Sequence, residues 1–528
     1  MSFRVAMLVA ALSGFVSLSF EILWFRAFSF ATGAMPWTFG RVLAAFLIGL
    51  AQGAAVSRRL VTAPRDADPA RPLLVVAGAI GASTLAAYLV VPGLGWLAQY
   101  ATWQLGFLLV VGAAFLLGVV LPVVSHLGIA PSEAVGSRLS WLYVANIVGS
   151  AAGSLLTGFV LSDVWPMVVI SRALLLAGLA SAALVALLAL RLPGAARVRR
   201  AAASGALGAA VLATLFVAAE GPLFGRLWER LLYKREAGGK PAFAEVVETR
   251  AGVIPVTPRG EAYGGGAYDG IVSVDLRDDE NLLVRAYALA ALHPHPQRVL
   301  KVGLGTGAWA RALLQLPGVD SLTAIEINPG YLPLIERHPA VRPVLHDPRA
   351  TIVIDDGRRW ITRHPEETFD AIVMNTTWHN RAHSTNLLSR EFLQLVRSRL
   401  RPGGVMLFNT TWSPDAMRTA TEVFPHTLRI VNVVAASDRP LAFDTARWEA
   451  LLRGLRHDDG RPVFPPGDAA AAARLDTLLA LPRTLDGPPR GYGLESGASL
   501  ARRVAGARVV TDDNMRVEWR ASAPTPLP

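Results

Sequence analysis

The chain has no cysteine among its 528 residues, which excludes a disulfide framework and any thiolate-bound metal. Charge is scarce as well: Asp, Glu, Lys and Arg make up 17% of the residues, where a soluble domain carries about a quarter. Hydrophobic residues fill the gap at 52%, and a chain of this length exceeds what one core organises, so at least two domains are expected. The formal charge of +11 comes from arginines scattered between apolar runs and over the rest of the chain. That is a pattern of membrane topology, and no nucleic-acid partner is expected. Asp512 and Asp513 stand side by side, but no ligand spacing supports a metal site, and none is expected.

The apolar excess is concentrated. Runs near residues 5–25, 42–56, 73–91, 106–127, 141–161, 168–190 and 201–219 approach the roughly 20 residues that cross a bilayer. About seven spans are expected, forming a helical transmembrane domain over residues 1–222 in contact with membrane lipid. The first run lacks a small-residue cleavage site followed by polar sequence, so it does not read as a cleavable signal peptide. Arginines fill alternate loops (Arg58, Arg59, Arg65 and Arg71; Arg138; Arg191, Arg197, Arg199 and Arg200), which places those loops and the N-terminus in the cytoplasm. The side of the remaining chain depends on whether the Ala-rich seventh run crosses, and the sequence leaves both answers open. Gly149, Gly153 and Thr157 recur at four-residue spacing on one helix face, a stripe that lets helices approach closely. Asn146 and Glu21 are costly in hydrocarbon. They read either as part of a polar pathway or, for Glu21, as half of an interfacial ion pair with Arg26.

From Arg298 onward the pattern alternates between short β-rich runs and helical ones, which predicts a doubly wound parallel sheet. The run 298–302 reads as a strand feeding Gly303-Leu-Gly305-Thr-Gly307 and then a helix from Trp309. Glycines there let backbone turn sharply and approach a ligand at a helix N-terminus. The next strand ends at Glu326, about 20 residues on, where a ribose diol is gripped in dinucleotide-binding folds. A third strand ends in Asp355-Asp356-Gly357, placed for an adenine amino group. A fourth, 369–374, runs into a polar loop from Asn375 to Asn386, and a fifth covers 404–408. Glycine loop, acid, acid and polar loop at successive strand ends predict a nucleoside site of Gly303, Gly305, Gly307, Glu326, Asp355, Asp356 and Gly357.

These residues resemble the spermidine synthase family. Similar are the lead-in 293–300, the glycine loop, Glu326-Ile-Asn-Pro329, Asp356-Gly357, Phe369-Asp370 and the helix start 388–392; upstream, Glu248-Thr-Arg-Ala-Gly252 and Tyr268-Asp-Gly270 look like the family's small β-region. With Glu21-Ile-Leu-Trp24 in the first span, the whole is similar to membrane-fused spermidine synthase-like proteins of bacteria. The resemblance implies a small β-region over 240–290, a Rossmann-like nucleoside-binding domain of methyltransferase type over 291–430, and a C-terminal extension over 431–528. It also implies a multi-pass protein of the bacterial inner membrane, a homodimer by analogy, and a substrate that is S-adenosylmethionine or its decarboxylated form. The family reaction is attack by a neutral amine of putrescine on the sulfonium-bearing carbon, with methylthioadenosine leaving.

That chemistry must hold cationic amines and take a proton, so carboxylates are its natural tools. Here several family positions differ: Thr306 stands for an Asp in the glycine loop, Ser273 for a Gln, and Asn375-Thr-Thr-Trp378 for an Asp-x-x-Asp pair. Asn375 cannot take a proton. His379 and His383, just beyond, are the candidate general bases, and Arg381 between them suits an anion better than a diamine. Tyr268 and Asp269 are secondary catalytic candidates, with a turn role as the other reading. Two further readings stay open beside a transferase: an inactive nucleoside sensor, and a protein linked to polyamine transport.

Overall fold

The computed structural model describes residues 1–61, 71–131, 134–191, 196–375, 378–487 and 491–519. Arg65, Thr376, Thr377 and the residues from 520 onward, on which parts of the reading above fall, lie outside them. The chain forms two compact units: Met1–Gly33, Trp37–Phe243 and Glu248–Val253 make the first, and Ala34–Pro36, Ala244–Val247 and Ile254–Pro528 the second.

In the first unit, seven helices among the described residues are long and apolar enough to cross a membrane: Phe3–Thr32, Trp37–Ser57, Leu73–Tyr100, Trp103–Gly128, Val135–Val164, Met167–Leu190 and Arg199–Ala218. They fall where the apolar runs placed them, the seventh included. Lipid is as apolar as leucine, so packing between such helices depends on close approach. Gly149 and Gly153 supply it: a β-carbon at Gly149 would lie 1.9 Å from the Ala11 carbonyl oxygen, and one at Gly153 would lie 2.3 Å from that of Phe15. Asn146 belongs to the same seam, donating from Nδ2 to the Ala10 carbonyl at 3.0 Å. It serves packing there. Arg26 does not pair with Glu21. Five residues along a helix turn through about 140°, and Arg26 faces the other way, lying 3.6 Å from Glu248 and donating to the Gly252 carbonyl at 3.3 Å. Glu248 also accepts from the Met167 N–H at 3.0 Å and Trp228 Nε1 at 3.3 Å. Burial raises its pKa against the pull of Arg26.

The strands are β1 (Glu245–Thr249), β2 (Gly252–Val256), β3 (Glu261–Gly264), β4 (Ala267–Ile271), β5 (Arg298–Val302), β6 (Ser321–Glu326), β7 (Ala350–Ile354), β8 (Phe369–Met374), β9 (Leu400–Asn409), β10 (His426–Ile430), β11 (Val433–Ser437) and β12 (Leu494–Ser496). The first four form a small sheet in chain order, with β3 antiparallel to both β2 and β4. The other eight form one sheet in the order β12-β10-β11-β9-β8-β5-β6-β7. Its pairs from β9 to β7 are parallel, and the pairs from β9 outward to β12 are antiparallel. Covered on both faces, the parallel strands need continuous apolar sequence, and Val299 to Val302 are all at most 2% exposed. Strand β5 lies between β6 and β8, so the chain leaves it first to one side and later to the other. That reversal opens a crevice at the carboxyl ends of the strands.

The sheet continues past residue 430 through β11 and β12, so much of the C-terminal part is built into it. Residues 509–514 fold back onto the same unit. Val510 accepts from the Arg390 N–H at 2.8 Å, and Asp512 receives two hydrogen bonds from Arg358 at 2.7 and 2.6 Å.

Candidate nucleoside site

The glycine loop leaves β5 with Gly303, Gly305 and Gly307 all at positive φ, +80°, +56° and +83°. Residues with a β-carbon resist that region. Behind the loop the helix Ala308–Leu314 begins, so the loop amides turn inward at the topological switch point. Glu326, at the end of β6, is 5% exposed and reaches into this turn. Its Oε2 accepts from the N–H groups of Leu304 at 2.8 Å and Gly305 at 3.0 Å, and its Oε1 from Asn328 N–H at 2.8 Å. Burial pushes its pKa up, and the three amides pull it back. The carboxylate is thus fixed beside the loop.

At the end of β7, Asp356 caps the helix Gly357–Arg363, accepting from Arg359 N–H at 2.8 Å. Asp355 accepts from Asp356 N–H at 2.7 Å and from Arg359 Nε at 2.6 Å. Burial opposes its ionisation, but the Arg359 contact outweighs it and holds the carboxyl below the usual range. Gly357 packs so tightly that a β-carbon would lie 2.7 Å from Val302. These residues shape the strand end, and both acids are engaged by their own helix.

At the other side of β5, Asn375 follows the end of β8. Its Oδ1 accepts from Asn409 Nδ2 at 2.9 Å, Asn409 Oδ1 accepts from Thr411 N–H at 2.8 Å, and Thr411 Oγ1 lies 2.6 Å from His379 Nδ1. This chain joins two sequence-predicted residues through two that sequence reasoning missed. Burial lowers the His379 pKa, so the ring is neutral near pH 7. Its Nε2 can accept a proton only when Nδ1–H donates to Thr411. His383 differs: its side chain is exposed, its φ is +68°, and its N–H donates to Glu518 at 3.0 Å. Glu518 also accepts from Thr385 N–H at 2.7 Å, which pins the polar loop.

Asp269, on β4, accepts from the Tyr331 hydroxyl and lies 3.7 Å from Arg381, which also donates to the Gly264 carbonyl at 2.9 Å. Burial raises the Asp269 pKa against Arg381. Tyr268 packs edge-on against Tyr263 at 5.8 Å, with its phenol pushed upward by burial. Sequence reasoning also passed over Lys301 and Arg285. Lys301 lies within a strand, 1% exposed, and donates to the Gly303 carbonyl and, at 3.3 Å, to that of Val302. A charge inside an otherwise apolar strand was the available signal. Among the described residues, no cluster of His, Asp or Glu suited to a metal occurs.

Residues 287–434 match the spermine/spermidine synthase domain. The polyamine aminopropyltransferase 2 of Streptomyces coelicolor is 28% identical over 387 residues, 69% of this chain and 66% of that protein. The polyamine aminopropyltransferase of Korarchaeum cryptofilum is 28% identical over 193 residues, 34% of this chain and 58% of that protein. The chain therefore spans less than two thirds of the length of either relative. The crystal structure of spermidine synthase from Thermotoga maritima covers 43% of this chain and 84% of its own at a TM-score of 0.32 and 19% identity. With the seven long apolar helices that precede it, the chain carries a spermine/spermidine synthase domain and is a distant homologue of the polyamine aminopropyltransferases.

Proposed function

We propose that the chain is a membrane-anchored transferase that binds S-adenosylmethionine or its decarboxylated form in the crevice at β5, β6 and β7 and passes a group from the sulfonium to an acceptor. The observation that carries this reading is Glu326, held at the crevice by the amides of Leu304 and Gly305. The Gly303, Gly305 and Gly307 backbone supports the nucleoside, Glu326 its ribose, and the Asp355 to Gly357 turn its base. Attack on the sulfonium-bearing carbon forms one bond, breaks the carbon–sulfur bond and releases a thioether, and the nucleophile's proton leaves to a base. His379 Nε2 is the base this reading assigns, with Thr411, Asn409 and Asn375 as positioning residues; Tyr268 and Asp269 shape the acceptor side. His383, exposed, is assigned no proton transfer.

A second reading, a nucleoside-binding sensor without turnover, is favoured by one observation: Arg381 already neutralises Asp269, where a cationic amine would otherwise sit. Calorimetric titration of the full chain in detergent with methylthioadenosine, followed by product analysis with each sulfonium donor, separates the two. Binding lost in Glu326→Gln, with turnover lost in His379→Gln, supports the transferase. Binding without turnover supports the sensor, and absence of nucleoside binding overturns both.

A further inference from the structure

The order of strands dictates where each part of a bound nucleoside lies. With the base at β7 and the ribose at β6, the sulfonium arm runs the other way, over the ends of β5 and β8. The charge beneath that place is positive. Lys301, next to last in β5, is fully buried, with its ammonium on the carbonyls of Val302 and Gly303. Arg285 is 5% exposed and donates to Asn432 Oδ1 at 2.6 Å, to the Asn281 carbonyl at 3.1 Å and to the Leu282 carbonyl at 3.1 Å. Both lie against the same indole, Arg285 at 4.9 Å and Lys301 at 6.0 Å from the Trp309 ring. Among the described residues neither has a carboxylate within salt-bridge distance, and Glu326 acts on Lys301 and Asp279 on Arg285 only from beyond it.

Buried cations are ordinarily paired with carboxylates. The acids nearby are committed: Glu326 to three backbone amides, Asp269 to Tyr331 and Arg381, and Asp279 to the Leu283 and Val284 amides and Arg474. Resting on the nucleoside reading above, we propose that Lys301 and Arg285 make a cationic floor that selects a sulfonium donor whose arm carries a carboxylate, S-adenosylmethionine itself, over the decarboxylated donor. The decarboxylated arm ends in an ammonium and brings two positive charges over two more. The carboxylate of the intact arm removes that repulsion and gives the ammonium of Lys301, which has three donors and uses two, an anion to face.

The test uses the full chain in detergent and three ligands. Methylthioadenosine has no amino-acid arm and reports nucleoside binding alone; its failure to bind overturns the nucleoside reading and this inference with it. Given that binding, at pH 6, where Lys301 is protonated, S-adenosylmethionine is expected to bind at least tenfold tighter than the decarboxylated donor. Equal affinities, or the reverse order, overturn the selection by charge while leaving the nucleoside reading in place. Lys301→Met, checked as folded by its retained binding of methylthioadenosine, should reduce the preference to less than threefold. A preference that persists undiminished in that variant removes Lys301 from the selection.

Discussion

Asp269 and Arg381 face each other at 3.7 Å, their side chains 20% and 14% exposed, so the acid of the acceptor side is met by a cation of the protein's own polar loop. Burial raises the Asp269 pKa and Arg381 opposes that rise. Removing one partner of such a pair leaves a desolvated charge behind, at a cost of about 3 kcal/mol. Arg381→Met should lower stability by about that amount. The double variant Asp269→Asn, Arg381→Met should recover much of it, since neither charge remains. Thermal unfolding of the four proteins in detergent measures the coupling directly; additive losses would show that the two side chains do not interact.

Lys301 makes stability depend on pH in a definite direction. Burial brings its pKa down from 10.5 to about 7. Between those values the folded chain binds fewer protons than the unfolded chain, so this group lets stability rise with pH, at a limiting slope of about 1.4 kcal/mol per unit. Below pH 7 both states are protonated and its contribution is level. Lys301→Met should therefore be more stable than the natural chain at pH 7 and should lose the slope up to pH 9. Parallel unfolding curves for the two proteins across that range would show that Lys301 does not titrate there.

What the sequence displays of this site follows from how each residue is fixed. Gly303, Gly305, Gly307 and Glu326 are set by one strand, one turn and the next strand, so local spacing reveals them. Asn409 ends β9 and Thr411 lies in the turn that follows it, with positive φ at Thr411 and Trp412. Their link to His379 is made only when β9 pairs with β8, and no local pattern encodes that. Arg285 reaches Asn432 across 147 positions of sequence. Strand β12 spans three residues, too few for an alternating pattern, and its pairing with β10 is reinforced by a buried ion pair. Membrane helices, by contrast, are written in length and apolar composition alone. Their partners are not, and so Arg26 finds Glu248 and not the acid nearest to it in sequence.

That buried ion pair contributes to the loss of stability of the second unit in acid. Glu495 on β12 receives Arg429 Nε at 2.6 Å and two bonds from Arg503 at 2.7 and 2.8 Å, with Arg429 1% and Glu495 3% exposed at the side chain. Burial works to raise the Glu495 pKa, but the hydrogen bonds from Arg503 and Arg429 prevail and hold it below the ordinary value. The stabilisation is therefore complete above the ordinary carboxyl range and is lost as pH falls through the depressed value. Glu495→Gln leaves Arg429 buried and unpaired, which costs about 3 to 5 kcal/mol. The variant should unfold at lower temperature at pH 7 and approach the natural chain as pH falls through the depressed value. A constant difference down to acid pH would mean that Glu495 stays ionised throughout.

The seam between the first and fifth membrane helices is the part of the first unit least able to accept added volume. A β-carbon on Gly149 would lie 1.9 Å from the Ala11 carbonyl oxygen and 2.6 Å from its carbon. Those are backbone atoms of a helix held by its own ladder, so no side chain can swing aside and the helices must separate. Overpacking of this kind costs about 1 to 3 kcal/mol. Separation would also break the Asn146 bond to the Ala10 carbonyl and the Ser19 bond to the Gly153 carbonyl. Gly149→Ala should then lower the melting temperature of the detergent-solubilised chain, and Gly149→Leu should lower it further. Gly158 lies farther along the same helical run and has nothing within 4 Å of its β-carbon position. Alanine is the better helix former by about 1 kcal/mol, so Gly158→Ala should leave the melting temperature unchanged or raise it. Equal losses at the two positions would mean that glycine serves helix flexibility and not close approach, and that the seam is not where these helices meet.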